Sequence, residues 1–104
     1  MLGAHSPETT TANDMWRFRL YVAGQTPKTS MAIENLKKIC AKYLQGKCLI
    51  EVIDLVANPQ FAARDQIVAV PTLVPEHPAP MRRIIGDLSD TEKVLAGLGV
   101  RSAT

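Results

Sequence analysis

The stretch "MWRFRLYVA" (15–23) alternates cleanly between apolar and polar positions. Trp16, Phe18, Leu20 and Val22 fall on one face and Arg17, Arg19 and Tyr21 on the other, which predicts a strand with one face in a core. "GQTPKTS" then turns the chain, with Thr26 placed to cap a helix and Pro27 at its first position. Ile33, Leu36, Cys40, Tyr43 and Leu44 recur at helical spacing, Glu34, Lys37, Lys38 and Lys42 stay outside, and Gly46 is placed to stop the helix. "CLIEVIDL" (48–55) is mostly β-branched or leucine and reads as a more central strand. This β-α-β unit favours a right-handed crossover and two parallel strands.

In the second half, Asn58 and Pro59 repeat the cap-then-proline signal, and "PQFAARDQI" predicts a short helix. "VAVPTLV" reads as a strand with Pro71 forced into it; proline sits at edges, bulges or strand starts, and such an X-Pro bond is a candidate for the cis isomer. "PEHPAP", with Pro78 and Pro80, suits an extended loop, and "MRRIIGD" a further strand. "SDTEKVLAGL" carries a capping box, Ser89 with Glu92, ahead of Val94, Leu95 and Leu98. Gly97 and Gly99 oppose that helix by about 1 kcal/mol each. The predicted order is β-α-β-α-β-β-α, an α/β (α+β) chain in thioredoxin-like order.

Composition narrows the function. A chain of 104 residues is enough for one small domain, assigned here to 15–100, with a polar lead over 1–14 that reads as disordered and a short tail over 101–104. A net charge of +2 gives no reason to expect nucleic acid or membrane binding, and no apolar run approaches the roughly eighteen residues of a membrane span. The lead lacks an apolar signal region, so the expected compartment is the cytoplasm.

Thioredoxin-like domains pair a strand-entry proline with a Cys-x-x-C, and none is present here. Cys40 and Cys48 have seven residues between them, and two small buried or half-buried thiols are preferred to a bridge. The junction "AGQTPKTS" offers the hydroxyls of Thr26 and Ser30, but His5 and His77 lie elsewhere and nothing places them to activate either. No P-loop, dinucleotide or zinc spacing occurs. The expectation is no catalytic, cofactor-binding or metal-binding residue.

The remaining features suit a binding surface. Arg82 and Arg83, adjacent in a strand, point to opposite faces; they are either solvated edge charges or a dock for an acidic patch on a partner. Asp54, at the end of the second strand, fits a loop-capping role better than proton transfer. Phe61 is either a core anchor or an exposed interface aromatic.

Taken in order, "LYVAGQTP", "VIDL…NPQ", "VPTL" and "RRIIGDLSDTEKVL" resemble the KaiB family from about residue 15 to residue 98. The resemblance implies a thioredoxin-like fold without thioredoxin chemistry. It also implies a metamorphic second half, with an alternative β-α-β-β-α-α-β ground state that forms homo-oligomers, dimer or tetramer. Pro71, Pro78, Pro80, Gly97 and Gly99 are the fold-switch candidates, and Phe61, Arg64, Arg82 and Arg83 the partner-binding candidates. The implied partner is a KaiC-like hexameric ATPase ring whose phosphorylation and ATPase cycle the chain modulates; a sensor histidine kinase is a second candidate partner, and KaiA is left open. Met31 and Pro75 stand where cyanobacterial relatives carry arginine and lysine, and Gly99 where they carry aspartate. The alternatives are a thiol- or glutathione-dependent redox protein and a stress-response protein diverged from KaiB.

Overall fold

The computed structural model describes residues 15–77 and 82–100. Its elements are β1 (Trp16–Val22), α1 (Pro27–Tyr43), β2 (Cys48–Asp54), α2 (Gln60–Arg64), β3 (Thr72–His77), β4 (Ile84–Ile85) and α3 (Thr91–Leu98). The order is the predicted one. The four strands form one sheet in the order β2-β1-β3-β4, with β1 parallel to β2 and β3 antiparallel to both β1 and β4. His5, Pro78 and Pro80 lie outside the described residues, as do the lead and the tail.

β1 is the centre of the sheet, and this changes its reading. Phe18, Leu20 and Val22 join Leu36, Ile39, Leu73 and the α3 residues Val94, Leu95 and Leu98 in the main core. The opposite face is not simply solvated: Tyr21 is buried with Ile53 and Ile67, and Phe61 and Val74 pack on that group. Alternation alone cannot foresee this, because the cover comes from α2 and the loop behind it.

β2, expected to be central, is an edge strand. It pairs with β1 alone, and Leu49 and Val52 stay 54% and 43% exposed. Pro75, expected in a loop, lies inside β3, where the register with β1 passes from Arg17↔His77 to Phe18↔Pro75 and skips Glu76. β4 pairs β3 only at Thr72 and Leu73, so proline sits beside a bulge on a half-open strand, where a missing donor costs least. The Val70–Pro71 bond leading into β3 is cis. The "MRRIIGD" strand shrinks to two residues, with Arg82 and Arg83 ahead of the ladder.

The helix signals hold in part. The Thr26 hydroxyl accepts the Thr29 N–H at 3.1 Å with Pro27 at the start of α1, and Gly46, at φ 70, donates its N–H to the Cys40 carbonyl at the other end. At α2, Pro59 occupies the cap position without a side-chain bond, and Asn58 Nδ2 donates to the Asp54 carbonyl instead. At α3 the cap is Asp90, which accepts from the Lys93 N–H at 3.2 Å; the expected Ser89–Glu92 box is one residue out of frame. Gly99 is the residue that closes α3, at φ 71, so it ends the helix and does not weaken its interior.

Candidate functional site

Two places bear on function: the β1–α1 junction, where a thioredoxin-like chain would carry its thiols, and the sheet face around α2. At the junction, Thr26 is occupied as the helix cap, and Thr29 donates its hydroxyl to the Gly24 carbonyl at 2.9 Å. Asp54 Oδ1 accepts from the Gly24 and Val56 N–H groups, both at 2.9 Å, and these bonds hold its carboxyl below the usual carboxylate range. The Val56 bond is the expected loop cap after β2, and the Gly24 bond also ties that loop to the end of β1. Cys40, in the last turns of α1, and Cys48, the first residue of β2, are free thiols away from this junction. Among the described residues no group of three or more His, Cys, Asp or Glu could hold a metal ion, and no helix is long and apolar enough to cross a membrane.

The face around α2 is built differently. Asp65, just past α2, receives the Tyr21 hydroxyl at 2.5 Å and the Arg64 guanidinium at 3.2 and 3.3 Å. Arg64 and then Tyr21 hold its carboxyl down, while burial and then Asp65 push the Tyr21 phenol up. Arg64 also lies over the Phe61 ring, 4.1 Å from its centroid. Phe61 is therefore both a half-buried anchor on the second core group and part of a charged surface.

Arg83 reaches the same place from the segment just ahead of β4. Its Nη1 donates to the Gln66 carbonyl and its Nη2 to the Asp65 carbonyl, both at 2.5 Å. Arg64, Asp65 and Arg83 line one shallow hollow with Arg19, Tyr21 and Glu76. Three of the four partner-binding candidates, Phe61, Arg64 and Arg83, thus converge, and Arg82 stands exposed beside them. Arg83 differs from the expectation of a free docking charge, since its guanidinium is engaged by backbone.

The charges that sequence reasoning missed are Arg19, Glu51, Asp65 and Glu76. Arg19 Nε lies 3.3 Å from Glu76 and 3.5 Å from Glu51, off hydrogen-bond geometry but within ion-pair reach. The alternation of β1 already placed Arg19 on Tyr21's face; its pairing with Glu51 needed the register, Arg19↔Glu51, that only the sheet supplies.

Solved structures that resemble this fold include the N-terminal domain of Synechococcus elongatus SasA (TM-score 0.67, 21% identity, 86% of this chain and 89% of that one). Another is the germline-specific thioredoxin Deadhead of Drosophila melanogaster (TM-score 0.63, 16% identity, 95% and 92%). At such identities they speak for the thioredoxin-like fold alone. The sequence relatives say more. The circadian clock oscillator protein KaiB of Synechococcus elongatus is 54% identical over 80 residues, 77% of this chain and 78% of that protein. The KaiB of a Nostoc species is 48% identical over 87 residues, 84% and 81%. With the KaiB domain matched over residues 19–100 as well, the chain belongs to the KaiB family.

Proposed function

We propose that this chain is a clock or timer regulator, without catalysis of its own, that binds a KaiC-like hexameric ATPase and modulates its phosphorylation and ATPase cycle by contact. The observation that carries the reading is the family match across residues 19–100, with relatives that are circadian clock oscillator proteins. The junction that bears thiols in a thioredoxin is filled here by a helix cap, Thr26, which supports a binding role over a redox one.

The docking surface in this reading is the group of Phe61, Arg64 and Arg82, with Arg83 fastening the end of α2 to the entry of β4 beside it. A binding-competent thioredoxin-like form then exchanges with the β-α-β-β-α-α-β form, a homo-oligomer, through Pro71, Pro78, Pro80, Gly97 and Gly99. Two packings within a few kcal/mol are enough for such an exchange. The setting is cytoplasmic, with a sensor histidine kinase as a second partner.

Size-exclusion chromatography with light scattering, with and without a KaiC-type ring, tests the reading, with ATP hydrolysis and ring phosphorylation followed in the same mixtures. A complex with altered ATPase rate is expected. No complex, or disulfide reductase turnover abolished by Cys40→Ser or Cys48→Ser, would overturn it in favour of a redox protein.

A further inference from the structure

Charge is spread unevenly along α1 and the turn after it. From Asn35 to Ile50 the chain carries four lysines, Lys37, Lys38, Lys42 and Lys47, and no aspartate or glutamate, in a protein whose net charge is only +2. All four are exposed, and none forms an ion pair among the described residues, where the carboxylates pair with Arg19 and Arg64 instead. Lys38 and Lys42 are four apart and share one face of the helix, a like-charge spacing that is unfavourable in itself. Lys47 follows the turn that ends α1, and its carbonyl accepts the Trp16 N–H at 2.8 Å, which fixes it beside the start of β1. The helix dipole accounts for part of this pattern only. It favours cations within the last turn, where Lys42 lies, but not Lys37 and Lys38 earlier in the helix or Lys47 beyond it.

We propose that Lys37, Lys38, Lys42 and Lys47 form a second docking surface, one that takes an acidic segment of a protein partner. With no counter-charge supplied from within the chain, the complement of four cationic heads is a run of carboxylates. Nucleic acid fits less well, because single strands need free aromatic faces to stack on. The two aromatics here are already in use: Trp16 stacks on Phe18 with ring centroids 5.8 Å apart, and the Lys42 ammonium lies over the Tyr43 ring at 5.4 Å. Both rings also pack on the main core. An anionic membrane fits less well too, since no large apolar side chain between Asn35 and Cys48 is exposed to enter it.

This surface is separate from the one around Phe61, Arg64 and Arg82. β1 sends Leu20 into the core with Leu36 and Ile39 of α1, and Tyr21 into the group on which Phe61 of α2 packs. Neighbouring residues of a strand point to opposite faces, so the two helices cover opposite sides of the sheet. An acidic segment on α1 therefore leaves the α2 side open, and the chain can hold two partners at once.

Fluorescein-labelled oligoglutamate is titrated with the full chain at low and at moderate salt, and its anisotropy is followed. Saturable binding that weakens with salt is expected. Lys37→Gln, Lys38→Gln and Lys42→Gln together should weaken it about tenfold, the size expected of three exposed ion pairs. The same charge change made elsewhere, as Lys28→Gln, Arg82→Gln and Lys93→Gln together, should leave it nearly unchanged. In the unmutated protein, backbone amide shifts should place the peptide on α1 and the turn after it, which decides the matter even if the triple variant folds poorly. No binding at low salt, equal losses in the two triple variants, or shifts confined to α2 would overturn the proposal. So would tighter binding of single-stranded oligouridylate or of phosphatidylglycerol vesicles than of the peptide.

Discussion

Gly97 stands so close to Ile84 that a Cβ built on it would lie 3.0 Å from Cδ1 and 3.3 Å from Cγ1 of that isoleucine. Ile84 is itself buried and paired with Leu73, so this is where α3 presses on the short β4. Sequence reasoning counts Gly97 as a weak helix residue and a fold-switch candidate, and gives no sign of Ile84. Alanine there recovers about 1 kcal/mol of helix propensity, but it must displace Ile84, and overpacking of this kind costs about 1–3 kcal/mol. Gly97→Ala is expected to lower the thermal midpoint, and Ile84→Val in the same chain to recover part of the loss. A double-mutant cycle reads the coupling. Simple additivity, or a raised midpoint for the single variant, would mean that Ile84 yields freely and that propensity decides.

Gly99 behaves differently although it lies two residues on. It adopts φ 71 and ends α3 with its N–H directed to the Ala96 and Leu95 carbonyls. A Cβ there meets nothing within 4 Å, so space is not the issue and backbone conformation is. Gly99→Ala should cost about 1 kcal/mol in chemical denaturation, and Gly99→Asn less, because asparagine tolerates the left-handed region. Equal losses for both variants would point to something other than the helix end.

The Tyr21–Asp65 pair sets a pH dependence with two arms. Asp65 is held below its ordinary value, so its contribution is full above the unfolded carboxylate pKa of about 3.9 and is lost as pH falls through the folded value. Tyr21 is raised, so its contribution is full below the unfolded value of about 10 and is lost as pH rises from there. Asp65→Asn should shrink the acid loss without removing it, since Asp54 and Asp87 are also held down by their own hydrogen bonds. Tyr21→Phe should remove the alkaline loss specific to this phenol. Urea midpoints across acid, neutral and alkaline pH are the measurement; an unchanged acid arm in Asp65→Asn would detach Asp65 from the effect.

The element order was legible because each element carries its own period: two for β1, helical for α1, and a proline marking the entry to β3. Position within the sheet was not. β2 has the composition of a central strand, yet nothing in "CLIEVIDL" states that only β1 will flank it. The burial of Tyr21 depends on Ile53 and Ile67, brought over from different elements. The α3 cap slipped by one residue because Ser89 and Asp90 are both good caps, and the choice falls to the frame that buries Val94, Leu95 and Leu98. At the site, Arg64 and Phe61 are neighbours along one helix and could be grouped from sequence. The Arg83 contact could not, because its acceptors are backbone carbonyls that leave no mark on residue type.

That contact separates two arginines that the sequence presents as equals. Arg83 spreads its fork over the Asp65 and Gln66 carbonyls, 18 and 17 residues away in sequence, and so fastens the entry of β4 to the end of α2. A lysine ammonium is a single point and cannot reproduce two divergent bonds in that plane. Arg83→Lys should lower stability by about 1 kcal/mol, and weaken ring binding only as far as the α2 surface loosens. Arg82 is exposed beside it, and surface substitutions of that kind usually change stability by less than about 0.5 kcal/mol. Arg82→Glu should therefore leave the denaturation midpoint nearly unchanged while weakening association with a KaiC-type ring, and more so at low salt. Paired denaturation and binding titrations at two ionic strengths distinguish the roles. If Arg82→Glu unfolds the chain while Arg83→Lys spares stability and abolishes binding, the assignment of one arginine to the fold and the other to the partner is reversed.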